Sequence, residues 1–347
     1  MTVADTVWHA WRARRARHAC LFAATAALLA LSMVADLATG PALLPLGPVA
    51  ASVLGFGNDP MVETIVWTIR LPVALMALLV GAALGTSGAV MQTILNNPLA
   101  SSYTLGISAG AGFGAALAIV AGTALPVAAS VAVPAGAFLF AAIACAAVFA
   151  LGAVRGATAE TLVLAGIALM FLFQALLSLL QLLAAPEALQ QIVFWLFGSL
   201  QRATWNAVMI LAAVLLATAP MLVRDAWRLT ALKFGDERAR SLGVAVAALR
   251  FRAFLFISLT TGISVAFCGT IGFIGLVAPH LARTAFGDDQ RVMLPASALA
   301  GALLLSAASV ASKTVSPGAI FPIGIVTALV GVPFFAWLIL AQRRAAW

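Results

Sequence analysis

The chain is predicted to be an all-α, polytopic membrane protein of about ten transmembrane helices with both termini cytoplasmic. Three observations predict this. Of its 347 residues, 64% are apolar and only 9% are charged, against roughly 45–50% and about 25% in soluble domains. The apolar residues fall into long runs, and a helix needs roughly 20 of them to cross a hydrocarbon core about 30 Å thick. The cations gather in alternate connections between those runs. Too few polar side chains remain to clothe a water-facing surface, so lipid is the bulk solvent. The runs lack the period-2 alternation of a membrane β-barrel. A segment that must satisfy its own backbone in lipid is then helical. The 28 Gly and 15 Pro agree with this, because both residues are commoner in membrane helices and small residues let helices approach closely.

The elements follow in order. Residues 1–19 form a basic cytoplasmic segment, and residues 20–347 a single transmembrane domain. The first span covers 20–38. Its Arg-rich approach mimics a signal peptide, but the run is long for that role, and Asp36 with the following prolines offers no clear cleavage site. An outer loop rich in Gly and Pro runs from Thr39 to Pro60. Spans follow at 62–95, 104–121, 129–151 and 160–183. A short helix at 190–199 leads into a sixth span at 203–222. A polar, charged segment at about 224–252 separates the halves. The remaining spans cover 253–270, 272–283, 295–311 and 322–341.

Charge tests this arrangement. With the N-terminus inside and one crossing per span, sixteen cations fall on the cytoplasmic side, among them the Arg12–Arg17 cluster, Arg343 and Arg344. Only Arg70, Arg202 and Lys313 fall outside, which is the asymmetry of the positive-inside rule. The net charge of +8 is therefore spread over short connections rather than one surface, and no nucleic-acid partner is expected. Cys20, Cys145 and Cys268 stand alone without a C-x-x-C pair, so no disulfide framework is implied. No cofactor is expected. A faint internal echo pairs Asn97-Pro98-Leu99-Ala100 with Ala278-Pro279-His280-Leu281-Ala282, each ending a Gly-rich apolar run, as in transporters with related halves. Proline as ordinary punctuation explains it equally.

The segment Phe234–Val244 is the most polar stretch after the N-terminus. Gly235 is expected to end one short helix, Asp236 to cap the next and Gly243 to stop it. A short helix between glycines suits docking into a groove on a soluble partner, although a solvated connector has the same composition.

Further motifs carry a family resemblance. Arg70-Leu71-Pro72, Val80-Gly81-Ala82-Ala83-Leu84, Ser87-Gly88-Ala89 and Asn97-Pro98-Leu99-Ala100 follow one another along the second span. Leu105–Ala111, Leu164–Ala168, Trp195–Leu200, Gly235–Val244, Gly272–His280, Pro322–Ala328 and Pro333-Phe334-Phe335 continue in order. Over about residues 65–340 the chain resembles the permeases of type II ABC importers for iron chelates, haem and cobalamin. The resemblance implies a ten-helix subunit of a bacterial inner membrane that pairs with a second copy of itself. Two cytoplasmic ATPase subunits would drive it and a periplasmic binding protein would deliver the cargo, with haem favoured over ferric siderophore or cobalamin. It further implies that Gly235, Asp236, Glu237, Arg238, Arg240 and Gly243 form the coupling helix on the ATPase. Asn97 and Leu99 would lie at the cytoplasmic gate, and Arg70 with Lys313 would meet the binding protein.

Two departures stand out. Similar permeases carry a second Arg after the Leu-Pro, where this chain has Val73. They also carry Ala-Asp-x-x-Ala-Arg and Glu-Leu-Pro where it reads Ala307–Ser312 and Ile320-Phe321-Pro322. Arg202, beside the Trp195–Leu200 motif, is a candidate partner for an anionic cargo at the pathway mouth, or an interfacial anchor beside Trp205. Met170, Phe171 and Phe173 are candidate apolar contacts for a flat cargo, or helix-packing core.

Other classes fit less well. Gly85-Thr86-Ser87-Gly88 has the G-x-S-G form of intramembrane serine proteases with His280 as a possible base, but small residues here also serve packing. A proton- or sodium-driven carrier places ionisable groups within spans, whereas Asp36, Glu63, Glu160 and Glu187 fall near predicted ends. Neither Lys233 nor Lys313 can complete a G-x-x-x-x-G-K-[ST] phosphate loop, so ATP hydrolysis is expected on a separate chain.

Overall fold

The computed structural model describes residues 3–40, 44–57, 59–122, 127–315 and 320–342, and these residues contain helices and no strands. Arg343 and Arg344 lie outside them. The helices are α1 (Val3–Ala38), α2 (Leu46–Val53), α3 (Pro60–Ile65), α4 (Leu71–Ile94), α5 (Ile107–Ala121), α6 (Ala129–Val154) and α7 (Ala159–Leu183). They continue as α8 (Pro186–Leu196), α9 (Trp205–Leu232), α10 (Asp236–Ser241), α11 (Val246–Cys268), α12 (Ile274–Phe286), α13 (Gln290–Thr314) and α14 (Ile323–Gln342). A π-helical turn, Val66–Arg70, joins α3 to α4 without a break. Among the described residues seven helical stretches are long and apolar enough to span a membrane, and Ile107–Ala121 and Ile323–Trp337 are shorter apolar helices.

Burial is distributed as in a lipid-solvated protein. Large apolar side chains such as Leu182, Val154 and Val223 are about four-fifths exposed, while Thr260, Thr261 and Ser297 are fully buried. With lipid outside, apolar burial gives helices no reason to associate, and close packing of small residues takes over. The α4–α13 contact is the most extensive in the fold. Gly81-x-x-x-Gly85 on α4 faces Ser297-x-x-x-Gly301 on α13, and a β-carbon at Gly81, Gly85 or Gly301 would overlap backbone of the facing helix. One turn further along, Gly88 lies against the backbone of Gly275 in α12 in the same way. The predicted spans thus meet backbone to backbone along α4.

Five expectations change. The basic segment and the first span are one continuous helix, α1, and the outer loop contains α2. The short helix begins at Pro186 rather than 190. The 224–252 segment is mostly helical, because α9 runs to Leu232 and α11 begins at Val246. The proline echo is also unequal: Pro98 lies in the turn beyond α4, whereas Pro279 lies inside α12.

Candidate functional site

Between α9 and α11, the charged segment folds as predicted in outline but not in its capping. Gly235 has φ +96° and is itself the N-cap of α10, and Gly243 has φ +80° just beyond its end. Asp236 is the first residue of α10 rather than its cap. Its carboxylate instead accepts a two-pronged pair of hydrogen bonds from Arg250, at 2.7 and 2.9 Å. Ala239 is fully buried, which turns Glu237, Arg238, Arg240, Ser241 and Leu242 to the exposed side together with Phe234 at 62%. The platform beneath is tied by further charge pairs. Asp225 of α9 is buried and accepts from Arg252 at 2.6 and 3.0 Å and from Arg228. Lys233 and Arg283 both pair with Asp288 in the α12–α13 turn. These cations therefore tie α9 to α11 and to the turn between α12 and α13.

Asn97 and Leu99 lie in the turn between α4 and α5. The Asn97 side chain accepts from the Leu99 amide at 2.9 Å, and Leu99 is 56% exposed. Asn96 before them holds φ +45°, a left-handed value that asparagine adopts more readily than most residues other than glycine.

A groove of about 730 Å³ opens on one flank of the bundle. Three of the sequence motifs, far apart in the chain, converge on it. The Ser199 amide donates to Cys268 O at 2.7 Å, the Gly324 amide to Phe197 O at 3.0 Å, and the Thr270 hydroxyl to Leu196 O. These bonds join the end of α8, the link between α11 and α12, and the start of α14. The link, Gly269–Phe273, is non-helical backbone between two helices, a feature tolerated at membrane depth only where protein or a water-filled cavity surrounds it. Here it lines the groove through Thr270, Gly272 and Phe273, with Tyr103 and Thr104 opposite and Leu329 and Val332 from α14. Phe273 holds φ +66°, a strain of order 1–3 kcal/mol that clusters at functional positions. The lining residues are mostly apolar, with hydroxyls and no charge, and suit an apolar cargo held loosely.

None of the four residues suggested for the pathway lines this groove. Phe173 is 5% exposed and its ring packs with Phe113 and Phe140, so its role in the fold is packing. Phe171 is 62% exposed on the outside of α7. Met170 has its backbone against Gly106, and Arg202 is exposed in the turn before α9. The groove residues that the sequence reading missed include Tyr103, Phe273 and Leu276. The only tyrosine in the chain and the Gly-Phe-Ile-Gly run were the available signals.

At the end of α1, Arg70 and Lys313 point into the bundle. Arg70 is 5% exposed and donates to the carbonyls of Leu37 at 2.6 Å and Ala38 at 2.8 Å, the end of α1. Lys313 pairs with Asp36 at 2.9 Å, both side chains being at least 96% buried. Ser309 donates to the same carboxylate at 2.8 Å. Asp36, expected near a span end, is thus fully buried between α1 and α13. The protease arrangement finds no support in this geometry. Ser87 is 1% exposed and shares a hydrogen bond with Thr260 at 2.7 Å, and the His280 ring packs on Phe334.

Comparison with known proteins agrees with the converging motifs, since the pattern of the FecCD transport family matches residues 28–341. The chain belongs to the FecCD transport family. This FecCD chain is 39% identical over 289 residues to the hemin transport system permease protein HmuU of Yersinia pestis, covering 83% of this chain and 86% of that one. It is 37% identical over 286 residues to the vitamin B12 import system permease protein BtuC of Citrobacter koseri, covering 81% and 84%. A solved structure of a metal-chelate type ABC transporter in an inward-facing conformation superposes with a TM-score of 0.82 at 33% identity, covering 92% of this chain and 99% of that chain. The protein is accordingly an ABC importer permease, a multi-pass protein of the inner membrane.

Proposed function

We propose that this FecCD permease carries haem across the inner membrane as one of two identical subunits, with ten crossings each and both termini in the cytoplasm. The seven long apolar helices with α5, α12 and α14 supply the ten crossings. The groove would face its counterpart in the second copy and form the pathway, since it contains the broken α11–α12 link and gathers motifs far apart in the chain. Two ATPase subunits would sit on the exposed face of α10, with Arg238 and Arg240 as contacts. The turn at Asn97 and Leu99 would form the cytoplasmic gate. A periplasmic binding protein would deliver cargo to the outer end. Arg202 is the exposed outer cation for that encounter, whereas Arg70 and Lys313 act through the position of α1.

The observation that carries the cargo assignment is the uncharged, mostly apolar groove lining with a few hydroxyls, which fits a flat macrocycle better than an amide-rich one. The second reading is a ferric siderophore or cobalamin as cargo, supported by the vitamin B12 relative. The test is a reconstituted complex of permease, ATPase and binding protein in proteoliposomes. Stimulation of ATP hydrolysis and uptake by hemin above ferric siderophore and cobalamin is expected. Stimulation by either of the others with none by hemin would reassign the cargo.

A further inference from the structure

Arg250 is the fifth residue of α11, only 3% exposed, and each of its three guanidinium nitrogens is engaged. Nη1 and Nη2 hold the two oxygens of Asp236, Nη1 also reaches Ala157 O at 2.9 Å, and Nε donates to Ile94 O at 3.2 Å. The three partners belong to different elements. Asp236 opens α10, Ile94 ends α4, and Ala157 stands in the α6–α7 link with φ +51°. One planar fork therefore joins the short exposed helix to the carbonyl three residues before Asn97. A guanidinium has the geometry for this, because its donors are fixed in one plane and less freedom is lost per bond formed. An ammonium at the same place keeps the charge but has no fork. Two neighbouring constraints favour rigid transfer along this line. Ala239 seats α10 against the bundle, and Arg252 ties the same turn of α11 to Asp225 of α9.

We infer that Arg250 is the positioning residue through which displacement of α10 reaches the Asn97–Leu99 turn, so that the two move as one unit. This rests on the reading that α10 docks the ATPase. A merely structural Arg250 would set how much folded protein accumulates, whereas a transmitting one sets how the turn responds to nucleotide. The experiment uses the complete complex in lipid nanodiscs, with Cys20→Ser and Leu99→Cys, and measures the rate of maleimide labelling at position 99 with and without ATP and vanadate. The unaltered background should show a change of several-fold on adding nucleotide. Arg250→Lys should reduce that change to less than twofold in complexes that still elute as one species. Asp236→Asn, which keeps a hydrogen-bonding group, should give an intermediate response. A full nucleotide response in Arg250→Lys, or a loss confined to folded yield, would overturn the inference alone. A separate arm with Arg238→Cys tests capture of the ATPase by cross-linking in the otherwise unaltered chain. Failure of that capture would remove the docking reading and this inference with it.

Discussion

The two ends of the molecule use the same device differently. At the end proposed as outer Arg70 binds the last carbonyls of α1, and at the end proposed as inner Arg250 binds the last carbonyl of α4. Both guanidinium groups are buried, and an aspartate shares each neighbourhood. The outer aspartate is sealed inside the bundle. The inner one belongs to a helix whose other face is exposed. A sealed cluster can hold helices together but offers nothing for a soluble partner to push. A cluster that ends in an exposed helix can be pushed. On the inference drawn for Arg250, the difference separates an anchor from a transmission, though the side chains are alike.

The comparison can be broken first at the helix that joins the two ends. Gly88→Ala places a methyl within the backbone of Gly275, and overpacking of this kind costs about 1–3 kcal/mol or more when backbone must move. Little or no monodisperse protein after detergent extraction is the expected outcome, and normal yield would show that α4 and α12 part more easily than described. A second test addresses the outer anchor. Lys313→Met removes the ammonium paired with buried Asp36, and breaking one side of such a pair costs about 3–5 kcal/mol. Adding Asp36→Leu to it should restore much of the loss. Thermal unfolding in detergent would show a large drop for the single variant and a smaller one for the double variant. Equal drops would mean that the pair supplies net stability. The smallest effect is expected for Ser87→Ala, which forfeits one hydrogen bond to Thr260, a contribution of about 0.5–1.5 kcal/mol. Transport should persist, and its abolition would revive a chemical role for that serine.

What could be read in advance follows from where each signal resides. The apolar runs were visible because the bilayer imposes a length on them, and each predicted span corresponds to a helix. Helix α2 was missed, since a short helix in a Gly- and Pro-rich loop carries no such length signal. The charged segment was visible as a motif, yet Asp236 was misread as a cap, because its partner fourteen residues on gives no local pattern. The pair between Asp36 and Lys313 spans 277 positions and leaves no trace in either neighbourhood. The groove motifs were recognised singly. Their meeting depends on backbone amides and carbonyls, which every sequence possesses, so their side chains could not announce it.

Helix α4 has 24 residues, a rise of roughly 36 Å, and it runs from the turn ending in Arg70 to the carbonyl that Arg250 holds. The hydrocarbon core is about 30 Å thick. Were α4 to stand close to the membrane normal, the two guanidinium clusters would lie near the two faces of the oil, like the jaws of a caliper closed on the membrane. A bilayer markedly thicker than the jaws would draw one ionic cluster towards hydrocarbon, so the lipid composition of the host membrane bears directly on how this protein sits.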